Sequence, residues 1–125
     1  MRKFLLVTLS YTLLLGAQTR KDLVEIQNGF STGQDYIEWT ESARRYYAIG
    51  IVNGMLLSPA FDAPKGHVAW LENCVVGMND KQIAEILFQY IHGHPARWHE
   101  GLNTLSFGAF VDACPESPLN RRRQQ

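Results

Sequence analysis

"NDKQIAEILFQYIHGHP", residues 79–95, decides the architecture of this 125-residue chain. Asn79 can accept a hydrogen bond from an unsatisfied first-turn amide, and Gln82, three residues on, can reach back to complete a capping box. Ile83, Ile86, Leu87, Tyr90 and Ile91 then follow the i, i+3, i+4, i+7, i+8 spacing of a helix with one face in a core. Gly93 suits the left-handed conformation that ends many helices, and Pro95 prevents continuation. The stretch predicts one amphipathic helix with both ends specified.

On its C-terminal side, "ARWHEGLNTLSFGAFVDAC", residues 96–114, predicts a second helix. Trp98, Leu102, Leu105, Ala109 and Phe110 form its apolar face, Gly101 and Gly108 weaken it, and Pro115 stops it. On the N-terminal side, residues 42–57, "SARRYYAIGIVNGMLL", predict another helix. Its Gly50 and Gly54 stand four apart, a spacing that lets a second helix approach closely. The flanking Arg44, Arg45 and Asn53 favour packing within the protein over pairing in a membrane. "QDYIEWT", residues 34–40, predicts one or two helical turns carrying Tyr36, Ile37 and Trp39, after turn signals at Asn28-Gly29 and Thr32-Gly33.

Residues 58–73, "SPAFDAPKGHVAWLEN", contain two prolines and a glycine and predict a loop with one helical turn near Val68–Leu71. Phe61, His67 and Trp70 are large side chains for such a segment. No stretch alternates with period two. The expected fold class is all-α: a small bundle of about four to five helices.

The N-terminus runs from Arg2 and Lys3 through an apolar Phe4–Leu15 to Gly16-Ala17, the order of a cleavable secretory signal over residues 1–17. Its apolar run is short of the roughly 20 residues that span a bilayer. The expected organisation is therefore a signal at 1–17, an N-terminal segment at 18–29, a helical domain at 30–115 and a flexible basic tail at 116–125. An exported chain meets an oxidising compartment, so Cys74 and Cys114, the only two cysteines, are expected to form a disulfide. Closing a loop of that length is worth on the order of 4 kcal/mol.

Charge excludes one class of partner. Twelve basic and twelve acidic side chains cancel. Removing Arg2 and Lys3 with the signal leaves ten basic residues against twelve acidic ones. No field gathers nucleic acid, and Arg121-Arg122-Arg123 reads as a solvated tail.

His92, His94 and His99 raise the question of a metal-dependent enzyme. Their spacings of two and five straddle a helix break, unlike the i, i+4 pair with a neighbouring carboxylate of a zinc helix, so they read as a capped corner. There is no GxSxG, no glycine-rich phosphate loop, and no cysteine left as a nucleophile once the bridge forms. Asp35 with Glu38, and Asp80 with Glu85, read as helix-surface acids. Neither an enzyme nor a bound metal or other cofactor is expected.

Read in order, "GFSTGQDYIEW", "YYAIGIVNG", Cys74, "MNDKQIAEILFQYIHGHP" and the closing "ACP" resemble the Rap/Tai class of immunity proteins over residues 30–115. The positions that carry the resemblance are Gly33, Gln34, Tyr36 and Trp39; Tyr47, Gly50 and Asn53; Cys74, Gln82, His94 and Pro95; and Cys114-Pro115. Asn53 stands where that class has an acid, and Trp39, Thr40 and Arg45 occupy a region where some members carry a second cysteine pair. The resemblance implies a periplasmic protein that binds a peptidoglycan-cleaving amidase toxin of type VI secretion and occludes its active-site groove. Phe61, His67 and Trp70, in the loop at 58–73, are the expected contacts, and a self-associating face would make the unit a homodimer. The competing expectation is a periplasmic helical stress protein such as an acid-activated chaperone, to which four histidines could contribute a charge change near pH 6.

Overall fold

The computed structural model describes residues 29–123. The expected signal sequence, and residues 18–28 of the segment after it, lie outside the described residues. Six α-helices follow in order: α1 (Gly33–Glu38), α2 (Glu41–Leu56), α3 (Ala69–Val75), α4 (Asp80–His92), α5 (Leu102–Ala113) and α6 (Pro118–Arg123). Single 3₁₀ turns occupy Ser58–Phe61, Lys65–His67 and Pro95–Arg97. No strand forms among the described residues, and the chain is the all-α bundle that its periodicity predicts. No described helix is long and apolar enough to cross a membrane.

α4 is the centre of the bundle, packed between α2 and α5, with α1 laid across it. Its capping box is present: the Asn79 side chain accepts from the Gln82 amide at 3.0 Å, and Gln82 accepts from the Asn79 amide at 2.9 Å. Ile83, Ala84, Leu87 and Ile91 are buried, while Ile86 and Tyr90 lie at the edge of the core. Gly93 does not take the left-handed conformation. It stays right-handed at φ −73°, and the break falls on His94, at φ −124° and ψ 60°. Pro95 explains the shift, because its ring disfavours a helical conformation at the residue before it.

The first helix is fastened to the corner that follows α4. Thr32 and Asp35 form a second capping box, with the Asp35 carboxylate accepting from the Thr32 amide at 2.7 Å. Thr32 also bridges Gly101 in antiparallel fashion: the Leu102 amide donates to Ser31 O at 2.7 Å, and the Gly33 amide donates to Glu100 O at 3.2 Å. This approach demands glycine. A Cβ on Gly33 would lie 2.6 Å from Leu105 Cδ1 and 3.2 Å from the Trp98 Cα. Behind it Tyr36 is fully buried, donates to Ala84 O at 3.1 Å, and forms a triangle of rings with Trp39 and Tyr47 at 5.6–5.9 Å. Burial pushes the Tyr36 phenol well above its usual range and raises that of Tyr47, so both remain neutral, Tyr36 as a donor and Tyr47 as the acceptor of a bond from Ser106.

The structure corrects the expectation for Gly50 and Gly54. α2 turns Ala48 and Val52 inward, with Tyr47, Ile51 and Met55 beside them. Positions two residues further on are rotated by about 200° at 3.6 residues per turn, so the glycines face outward. A Cβ at either would meet nothing within 4 Å.

The C-terminal helix starts later than its sequence suggests, at Leu102, because Pro95–Arg97 forms a separate 3₁₀ turn. Trp98 therefore sits in the corner and donates from Nε1 to the Ile91 carbonyl at 2.7 Å, satisfying an end group of α4. Cys74 on α3 is bonded to Cys114 just past α5, with Cα atoms 5.6 Å apart. Residues 118–123, expected as part of a flexible tail, form α6. Ser117 donates to Val111 O at 2.6 Å, and Asn120 donates to Cys114 O at 2.9 Å, so the start of this helix is tied to the end of α5. A serine followed by proline is a helix-start signal in the sequence that a reading of the arginines alone misses.

Candidate binding surface

The segment between α2 and α3 is built differently from the rest. Pro59 has the fixed φ that suits the first turn of the 3₁₀ helix Ser58–Phe61. Asp62 then turns the chain through a left-handed conformation at φ 67°, with Ala63 donating back to Ser58 O at 3.3 Å. Aspartate is among the few residues that tolerate this region. Pro64 opens the next 3₁₀ turn, whose end is closed by Val68 donating to Lys65 O at 3.3 Å. Neither 3₁₀ turn has a buried residue.

The three expected contact residues separate. Phe61, at the end of the first 3₁₀ turn, is 78% exposed, and Leu57, at its start, is 57% exposed. Trp70 is only 5% exposed: it lies on α3 and meets Phe107 edge-on with ring centroids 6.3 Å apart. Its ring pins the segment to the body and offers a partner almost no surface. The cause is local: Trp70 sits one helical turn before Cys74, and the disulfide holds that helix against the end of α5. His67, exposed, shares with Trp70 a cleft of about 270 Å³ whose other walls include Met55, Val68, Leu71 and Phe107. Phe61 does not line this cleft. Phe107, half exposed, is the large apolar residue here that the sequence reading placed in no site. Its position outside the Leu102–Leu105–Ala109 stripe could have flagged it.

The histidine corner is organised around Arg97. Its guanidinium is bonded to both carboxylate oxygens of Glu100 at 2.7 Å and donates to Tyr90 Oη at 2.6 Å. The hydrogen bonds from Arg97 hold the Glu100 carboxyl below its ordinary range. His94 lies over Tyr90 at 4.4 Å between rings, with Nδ1 2.6 Å from the Tyr90 carbonyl oxygen. A carbonyl only accepts, so this nitrogen carries the proton and Nε2 is left as the ring's acceptor. His92 stacks on Phe88 at 5.6 Å. Among the described residues no three His, Cys, Asp or Glu side chains come together as a group that could hold a metal ion.

Comparisons of this chain with protein-family models, with curated proteins and with solved structures find no match. The functional reading therefore rests on the surface itself and on the sequence resemblance. Several positions that carry that resemblance have structural work: Gly33 permits the close approach to α5, Tyr36, Trp39 and Tyr47 build the ring triangle, and Gln82 completes a cap.

Proposed function

We propose that this protein is an exported immunity protein that binds a cell-wall amidase toxin and blocks its active-site groove, with no catalysis of its own. The observation that carries the reading is the exposed Phe61 at the tip of a segment fixed at both ends. On one side α2 runs without a break into its capped end at Leu57, whose amide donates to Asn53 O at 3.0 Å. On the other, Trp70 and the Cys74–Cys114 bridge hold α3 to the body. Occlusion of an enzyme groove needs this combination, because a projecting aromatic binds tightly only when little conformational freedom is lost on docking. Phe61 and Leu57 supply exposed apolar contacts, and His67 a polar contact from the cleft it shares with Trp70. Trp70 acts from behind, as the support.

The test is capture followed by inhibition. The chain, tagged at its C-terminus and expressed with its N-terminal segment in its native host, should recover one secreted hydrolase near one-to-one from the exported fraction. One equivalent of the purified protein should then stop that hydrolase from cleaving peptidoglycan peptides. Phe61→Ala should raise the amount required about 30-fold, the loss expected of a central aromatic anchor. A hydrolase that is captured but stays fully active, or a broad weakly bound set of envelope proteins, counts against the proposal.

A further inference from the structure

A second surface has a different chemistry. An open groove of about 650 Å³ runs between α4 and α5 and shares no residue with the cleft beside Trp70. Its floor is apolar, formed by Ile86 and Tyr90 from α4 and by Ala109 and Ala113 from α5, with Met78 nearby. Residue size opens it. α5 contributes small side chains where a helix pair usually carries branched ones. Gly108 leaves room for the Tyr90 phenol, whose hydroxyl a Cβ there would meet at 2.8 Å.

The rim carries charge of one sign. Glu85 on α4 and Asp112 on α5 line the groove and no Lys or Arg does, the one basic side chain in its lining being the His94 imidazole. None of the ion pairs among the described residues uses either carboxylate. Glu85 accepts one hydrogen bond, from Gln89, whereas at Asp112 it is the main-chain oxygen that is engaged, by Asn120 at 3.4 Å. A wholly apolar occupant would cover these carboxylates without a partner, and an acidic one would repel them; both are costly.

We infer that the α4/α5 groove docks a short amphipathic segment of a partner protein in which apolar side chains flank an arginine or lysine. The cation pairs with Glu85 and Asp112 while its apolar neighbours cover Ile86, Tyr90 and Ala113. Arginine suits the position best, since its guanidinium is weakly hydrated and forks between two carboxylates. The α4 wall from Gln82 to Tyr90 is about 12 Å long at 1.5 Å per residue, room for two turns of a docked helix. This inference does not depend on the immunity reading: the groove and the Phe61 tip can serve the same partner or different ones.

The partner need not be identified for the test. A display library of random twelve-residue peptides is selected on the purified, disulfide-bonded chain. The recovered sequences should place Arg or Lys among apolar residues at helical spacing. A synthetic peptide of the consensus should shift the backbone resonances of residues 82–90 and 109–113, and should bind more weakly as salt rises. Glu85 also borders a pocket with Arg44 and Lys81, so charge is reversed only at Asp112. Asp112→Lys, and separately the near-isosteric pair Glu85→Gln with Asp112→Asn, should each weaken the peptide about tenfold with the melting temperature retained. Enrichment of acidic or uncharged peptides, no enrichment at all, or basic peptides that bind both variants undiminished would overturn the inference. So would self-association that the same substitutions abolish, which would put a second copy of this chain in the groove.

Discussion

The corner where α1 meets the start of α5 and the segment between α2 and α3 are both loop-rich, yet they are held by opposite means. At the corner the backbone is hydrogen-bonded across the chain, at Ser31 with Leu102, Gly33 with Glu100 and Gln34 with Trp98, and Gly33 is packed too tightly for a methyl group. Between α2 and α3 the backbone bonds only to itself, through two 3₁₀ turns with no buried residue, and stability comes from its two ends. The contrast teaches where this fold tolerates change. A surface loop that is pinned at its ends and not along its length can carry Phe61 outward without the body's packing depending on it.

The largest expected effect tests the pinned end. Reducing the Cys74–Cys114 bond, or replacing both cysteines with Ala, should cost about 4 kcal/mol in a denaturant titration. Amide exchange should rise first over residues 57–75, with residues 83–91 protected longer; uniform loosening would erase the distinction between the two regions. Next comes Gly33→Ala, which should destabilise by about 1–3 kcal/mol through overpacking against Leu105 and the Trp98 backbone. A neutral result would mean that the corner yields as easily as the loop.

Gly50→Ala and Gly54→Ala should act in the opposite direction. Both sites are helical and open, so each should stabilise by roughly 0.5–1 kcal/mol. A loss of stability would instead place the glycine face against a neighbour. A smaller effect belongs to the Arg97–Glu100 pair, and it is present at neutral pH and lost in acid. The folded Glu100 carboxyl is depressed, so its contribution is complete above the ordinary carboxylate range and is lost as pH falls through the depressed value, below about pH 4. Glu100→Gln should therefore lower the neutral plateau slightly and flatten the acid limb, so that the two stability curves converge at low pH. Smallest of all, Phe61→Ala should leave the melting temperature within the span of about 0.5 kcal/mol typical of exposed sites. A large loss there would show that the tip supports the fold, and would weaken its assignment as a contact.

Much of this was legible in the residues. The Asn79–Gln82 cap and the Ile83–Ile91 stripe specify α4 because both signals are local and regular. Cys74 and Cys114 are paired, as expected of the only two cysteines in the chain. The candidate site was less legible. The segment at 58–73 stands out by its prolines, but α3 within it has no side-chain cap and only seven residues, too few to establish a period. The sequence also gives Phe61 and Trp70 equal weight, since both are large aromatics in a proline-rich stretch. One is at the surface and the other inside because only Trp70 lies on the helix that the disulfide draws against Phe107.

The amino-acid order by itself determined that the chain would be helical, where α4 begins and which cysteines could pair. Those properties depend on neighbours within a few residues, or on composition. Tertiary structure alone decided that Gly50 and Gly54 face outward, that Trp98 caps α4 from outside α5, and that an acid-rimmed groove opens beside Ala109. Periodicity says which side chains share a face of a helix. Which face meets which neighbour is settled only when all the helices compete to bury apolar surface around one core.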